Sequence, residues 1–137
     1  MVKIVVDTYG WIEIFLGSES GKRTKEIIEK GEEVYTPDIV GAEIARKYLR
    51  EGVGEQEVLE RLTVIEESSE IVPISKRIAF EAAKCYMELM EKARLEKLRA
   101  PSLFDAIILA TARALNAKLV TGDEHFRGMD GIIWIGL

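Results

Sequence analysis

At 137 residues, 47% hydrophobic and 31% charged, the chain is long enough to bury a full core and too apolar to be disordered, so one domain over residues 1–137 is its simplest partition. A net charge of −5, from 24 acids against 19 bases, excludes a protein that coats nucleic acid through overall charge. It leaves room for a nuclease whose acids gather at a metal, whereas the short apolar runs and the single cysteine exclude a membrane span, an internal disulfide and a cysteine-rich zinc site.

The apolar, β-branched run Val2–Val6 predicts a strand buried on both faces of a parallel sheet. The N-terminus lacks the apolar length and the small-residue cleavage site of a secretion signal, so the cytoplasm is the expected compartment. Trp11–Leu16 predicts a helix closed by Gly17-Ser18, and Thr24–Lys30 a second helix ending at Gly31. Val34–Thr36 predicts a brief strand. Thr36 is then expected to cap a helix with Pro37 at its first position, running to about Gly52. Glu55–Ser68 predicts the helix that returns beside it, the hairpin turning at Gly52-Val53-Gly54.

Ile71–Pro73 predicts another short strand, after which Ser75 caps a long helix with the stripe Ile78, Ala82, Tyr86, Leu89 and Ala93. Cys85 reads as a small buried hydrophobe on that helix. Pro101 breaks it, and Ser102 opens Leu103–Leu115. That helix is apolar on nearly every side, so it should pack on the sheet with one face and be covered on the other. Lys118–Thr121 and Ile132–Ile135 predict the closing strands. Strand alternating with helix throughout gives an α/β fold with a central, mainly parallel sheet.

Four acids stand where an apolar element meets a turn or a helix: Asp7, Glu43, Asp105 and Asp123. Sites in open parallel sheets form beyond the C-terminal ends of the strands. Asp7 and Asp123 each follow a strand, and Glu43 and Asp105 lie early in helices that start at the same edge. Carboxylates gathered there repel one another unless a divalent cation neutralises them. Magnesium and manganese favour oxygen ligands and can activate a water against a phosphodiester, so the pattern points to metal-dependent phosphate chemistry.

Each acid also has a structural reading. Ser102 with Asp105, and Thr121 with Glu124, match capping boxes. Asp7 can cap the following helix, and Glu43 can pair with Lys47 one turn on for roughly 0.2–0.5 kcal/mol. Asp105 shifts the balance, being the only charge between Ser102 and Ala112 on a largely buried helix. His125, the sole histidine, reads first as a surface residue of a first turn and second as a neighbour of the site, and its solitude excludes a paired-histidine mechanism. Lys92, Arg94, Lys97 and Arg99 outnumber Glu91 and Glu96 just before Asp105, either as a guide for a phosphate backbone or as a solvated helix end. Trp11, Trp134 and the tyrosines show no stacking pattern for single-stranded nucleic acid and read mostly as core.

Taken together, Val5-Val6-Asp7-Thr8, Ala42-Glu43-Ile44, the run Phe104–Ala112 and Leu119–Phe126 resemble the PIN-domain ribonucleases. Among these the chain most resembles the single-domain VapC-like toxins of toxin–antitoxin pairs, along its whole length. The resemblance implies a Rossmann-like PIN domain, its sheet sandwiched by helices, and cleavage of RNA with Mg2+ or Mn2+. By motif position it implies that Asp7, Glu43, Asp105 and Asp123 form the catalytic and metal-binding set. Thr8 and Thr121 would orient a carboxylate or a water, and Glu124 is a possible second acid beside Asp123. It also implies a cognate antitoxin. The apolar surplus of the Ala42–Leu49 and Val58–Ile65 hairpin, beside Arg46, Lys47 and Arg50, suits either an amphipathic helix in a groove or a symmetric homodimer.

Three other readings stay open: a stand-alone RNA-processing or surveillance nuclease, a catalytically idle interaction module, and a phosphoacceptor receiver domain. The receiver is the weakest, because it needs a second acid after Asp7, where Thr8 and Tyr9 stand, and a lysine after its last strand.

Overall fold

A computed structural model describes residues 2–31 and 33–137; Met1 and Glu32 lie outside the described residues. Five strands form one sheet: β1 (Lys3–Val6), β2 (Glu33–Pro37), β3 (Glu70–Val72), β4 (Lys118–Thr121) and β5 (Ile132–Trp134). The order is β3-β2-β1-β4-β5 and every pairing is parallel, so the expected mainly parallel sheet is wholly parallel. Six α-helices connect the strands: α1 (Thr8–Leu16), α2 (Glu19–Lys30), α3 (Asp38–Arg50), α4 (Glu55–Ser68), α5 (Lys76–Glu96) and α6 (Leu103–Ala114). A 3-10 turn, Glu124–Phe126, follows β4. Ile4, Val5 and Val6 are fully buried in succession, and consecutive strand side chains point to opposite faces, so β1 is covered on both. Helix α6, paired with α5, lies on β1, β2 and β4; α1, paired with α2, lies on β1 and β4. No helix among the described residues is long and apolar enough to cross a membrane.

Local chemistry sets the helix ends. The Asp7 carboxylate caps α1, which begins at Thr8 and not at the expected Trp11. Ser18 caps α2, accepting from the Gly21 N–H at 3.0 Å, so that helix starts five residues before the expected Thr24. Ser75 caps α5, and its buried stripe is Ile78, Ala82, Cys85, Leu89 and Ala93, with Tyr86 only half-buried. Thr36 does not cap α3. It lies inside β2, and Pro37 stands at the cap position with no side-chain bond. The buried Thr36 hydroxyl instead accepts from the Trp11 indole at 3.1 Å and shares a 2.7 Å bond with the Ser69 hydroxyl.

Helices α1 and α2 are locked at closest approach by Gly21. A Cβ there would sit 2.0 Å from the Glu13 carbonyl oxygen, which is backbone and cannot step aside. Gly21→Ala should therefore force α1, and with it the Asp7 cap, away from its seat. The expected loss is about 1–3 kcal/mol, the usual range for overpacking, measured as a lower midpoint in urea. An unchanged midpoint would show that the two helices separate freely.

Candidate functional site

Connections run from β1 through β2 to β3 on one side of the sheet and from β4 to β5 on the other. The reversal falls between β1 and β4, which leaves a crevice beyond their C-terminal ends. Asp7 is the first residue after β1, and Asp123 the second after β4. The Asp7 side chain is 3% exposed, and it accepts from the Gly10 N–H at 2.9 Å and from the Thr121 hydroxyl. That hydroxyl in turn accepts from the Asp123 N–H at 3.0 Å, so one buried threonine ties the two strand-end acids together. Thr121 therefore opens no capping box with Glu124, which is exposed; Asp123 caps the 3-10 turn.

Asp105 forms the predicted box: its carboxylate accepts from the Ser102 N–H at 2.8 Å, and its own N–H donates to the Ser102 hydroxyl at 3.2 Å. Glu43, in the second turn of α3, accepts from the Thr8 hydroxyl at 2.7 Å. It does not pair with Lys47, which bonds Glu51 one turn further on. Two threonine hydroxyls thus orient two of the four carboxylates, Thr8 on Glu43 and Thr121 on Asp7.

His125 belongs to this site, contrary to its reading as a surface residue. Its Nδ1 lies 2.8 Å from an Asp123 carboxylate oxygen, its backbone N–H donates to the same oxygen at 2.9 Å, and its Nε2 lies 2.8 Å from the Arg99 carbonyl. One potential ligand atom from each of Asp105, Asp123 and His125 falls within 4.8 Å of the other two. Asp7 and Glu43 stand outside that trio but within its field. A short 3-10 turn, with no apolar periodicity to orient its residues, gave the sequence no means of placing the ring.

Burial raises the Asp7 pKa to about 7; the bonds from Thr121 and Gly10 oppose the rise, and the charges of Asp123 and Asp105 add to it. Glu43 is also raised, first by burial, with the Thr8 bond and Arg46 opposing and Asp105 and Asp123 adding. Asp105 is raised by burial and by Asp123 against its bonds to Ser102. Burial works against a charged His125, but the Arg99 carbonyl and the two aspartates outweigh it and hold its pKa above the ordinary value. Among the described residues, no lysine or arginine pairs with any of the four acids; His125 on Asp123 is the one ion-pair partner. Crowded, desolvated carboxylates with no lysine or arginine ion-paired to them among the described residues suit a hard divalent cation, whose charge would reverse these shifts.

The sign of the pH dependence follows. The folded Asp7 keeps a proton up to about pH 7, whereas the ordinary value is 3.8. Between those values the native state binds more protons than the unfolded one, so stability falls as pH rises through the window. Glu43 and Asp105 act in the same direction. With chelator present, urea unfolding should show a less stable protein near pH 8 than near pH 5, and Asp7→Asn should shrink that difference. An equal or larger difference in the variant would refute the burial effect.

The sequence matches the PIN domain family over residues 4–132. No protein of curated function matches it. Its fold is similar to that of a toxin–antitoxin complex from Klebsiella pneumoniae, at 24% identity and a TM-score of 0.71, covering 96% of this chain and 97% of that one. VapBC2 from Rickettsia felis, bound to a DNA fragment from their promoter, is similar at 21% identity and 0.68, covering 97% of each chain. Mycobacterium tuberculosis VapC20, a sarcin–ricin loop cleaving toxin, is similar at 17% identity and 0.71, covering 93% of this chain and 95% of that one. At these identities the likenesses speak for the fold, and the match over nearly the whole sequence decides the family: this chain belongs to the PIN domain family.

Proposed function

We propose that the chain, read as a single PIN-like domain, is a divalent-metal-dependent endoribonuclease that hydrolyses RNA phosphodiester bonds in the cytoplasm as the toxin of a toxin–antitoxin pair. The observation that carries this reading is the group of four carboxylates at the β1/β4 crevice with no lysine or arginine paired to them among the described residues. Family membership supports a nuclease. The printed descriptions of the similar structures, a toxin–antitoxin complex and a sarcin–ricin loop cleaving toxin, support the toxin role.

Asp7, Glu43, Asp105 and Asp123 would hold Mg2+ or Mn2+, which when bound supplies Lewis-acid activation of water and stabilises charge on the phosphate oxygens. The chain's own groups divide the remaining work. Asp7, buried and fixed by Thr121 and the α1 backbone, excludes water from one side of the site. Asp105 and Asp123 are each held by backbone N–H groups, which fixes where their remaining lone pairs point. Glu43 is the least constrained acid, held by one hydroxyl, which leaves its carboxylate free to take a proton from the water that attacks phosphorus in line.

Purified protein should cleave single-stranded RNA with Mg2+ or Mn2+ and stop with a chelator. Asp7→Asn or Asp105→Asn should lower the rate by on the order of 10²-fold or more, with the circular dichroism of the fold retained. Undiminished cleavage by both variants would rule out the site.

A toxin must be restrained in its own cell. The surface between α3, α4 and β3 supports a partner: a cavity of about 300 Å³ lined by Gly41, Leu59, Leu62, Ile65 and Ile71 lies there, and Leu59 and Ile71 among these are exposed. We expect a homodimer, and inhibition by the small protein encoded beside this gene. Light scattering and an inhibition assay check both. A protein that stays monomeric at high concentration and is untouched by its neighbour would be a stand-alone RNA-processing nuclease.

A further inference from the structure

His125 carries more of the site than its place in a three-residue turn suggests. Its Nε2 faces the Arg99 carbonyl at 2.8 Å, and a carbonyl oxygen only accepts, so that nitrogen is a donor. Its Nδ1 lies 2.8 Å from an Asp123 carboxylate oxygen that also accepts the His125 backbone N–H, a geometry that a donating Nδ1–H completes. Both ring nitrogens are thereby engaged by protein oxygens and not turned to an open face of the crevice. Yet, among the described residues, the ring lies in the one cluster where three ligand-type atoms come within 4.8 Å of one another. The bonds it makes are of a particular kind. Arg99 belongs to the segment joining α5 to α6, and three residues later Ser102 begins the cap that holds Asp105. The ring therefore joins the Asp123 side of the crevice to the segment that carries Asp105. Lys92, donating to the Glu124 carbonyl at 3.4 Å, fastens the same turn to α5 a second time.

We propose that His125 is a positioning residue: it bridges the Asp123 carboxylate and the Arg99 carbonyl, and so sets the separation of Asp105 and Asp123 without itself ligating the cation. Two like charges this close push their elements apart, and the ring supplies the tie that opposes the push. Asp123 thereby presents its other oxygen to the crevice while His125 occupies the first.

The proposal rests on the metal-site reading above, and two measurements keep the failures separate. The first needs no metal. Hydrogen–deuterium exchange in chelator should be several-fold faster in His125→Phe than in wild type over residues 98–105 and 123–126, because the phenyl ring keeps the packing and loses both bonds. His125→Gln, with one donor left, should fall between them and also covers the case in which the Phe variant fails to fold. Unchanged exchange in these segments would overturn the tie.

The second uses the fact that the chain has one histidine. Protein carrying 15N-histidine and loaded with Mn2+ should show no hyperfine coupling of a directly bonded ring nitrogen in pulsed electron paramagnetic resonance. The Mn2+ Kd of the Gln and Phe variants should nonetheless rise, by roughly 10–100-fold as for other residues that orient a ligand. A directly bonded nitrogen, or an unchanged Kd, would overturn the positioning role. Wild-type protein that binds no Mn2+ at all would instead sink the metal site, while the exchange result still decides the tie.

Discussion

A carboxylate buried at the end of the central strand constrains everything around it. Asp7 closes β1, caps α1, and takes the hydroxyl of Thr121 from β4, so one side chain joins the two strands between which the sheet reverses. The fold alone does not require an acid there. Serine caps three other helices, at Ser18, Ser75 and Ser102, without a charge to desolvate. A neutral cap of that kind serves a helix about as well as aspartate. At position 7 the chain instead carries a group whose ionisation burial opposes up to about pH 7. That cost, avoided at three other caps in the same chain, fits the proposed role of Asp7 as a cation ligand.

Capping and the proposed catalytic role, set against each other when the sequence is read residue by residue, call for the same geometry. Asp7, Asp105 and Asp123 each accept a backbone N–H at the start of a helix or a 3-10 turn. Such a bond fixes the rotamer of a short side chain and leaves the carboxylate plane defined before any ligand arrives. Helix N-termini also favour negative charge, which offsets part of the repulsion among acids this close. Glu43 is the exception. It lies past the first turn of α3 and depends on Thr8, so its carboxylate has no backbone anchor and keeps more freedom.

Much of this was legible in the sequence because the governing patterns are local. The run Val2–Val6, the α5 stripe, the Glu55–Ser68 helix and the Ser102–Asp105 box follow from periodicity and capping chemistry within a few residues. Errors fell where local pattern and tertiary demand part. Thr36-Pro37 has the composition of a helix start, yet Thr36 is claimed by Trp11 and Ser69, which keeps it in the strand. Helix α2 begins at Glu19 and takes in Ser20 and Gly21, two residues of weaker helical propensity, because Ser18 caps it and Gly21 admits α1. Glu43 has a lysine one turn away in sequence but finds its partner 35 residues off. His125 could not be placed because its contact with Arg99 spans 26 residues and follows no period.

Net negative charge and the proposed RNA substrate are compatible because of where the bases stand. Of the four that precede α6, Arg94 is paired with Glu91 and Lys92 with Glu96 within α5. The exposed Arg94–Glu91 pair is worth at most about 1 kcal/mol, so a phosphate could displace that carboxylate at little cost. Lys97 and Arg99 have no ion-pair partner within 4.0 Å among the described residues, and both lie in the short segment that His125 fastens to the site. Lys97 ends α5 in the left-handed conformation, at φ 58°, which turns the chain out of the helix toward α6. The two bases without an ion-pair partner therefore lie in the segment whose backbone His125 ties to the acidic crevice. For the proposed RNA substrate these near charges would outweigh the sum over the whole chain, because charges beyond about 10 Å are screened at moderate salt.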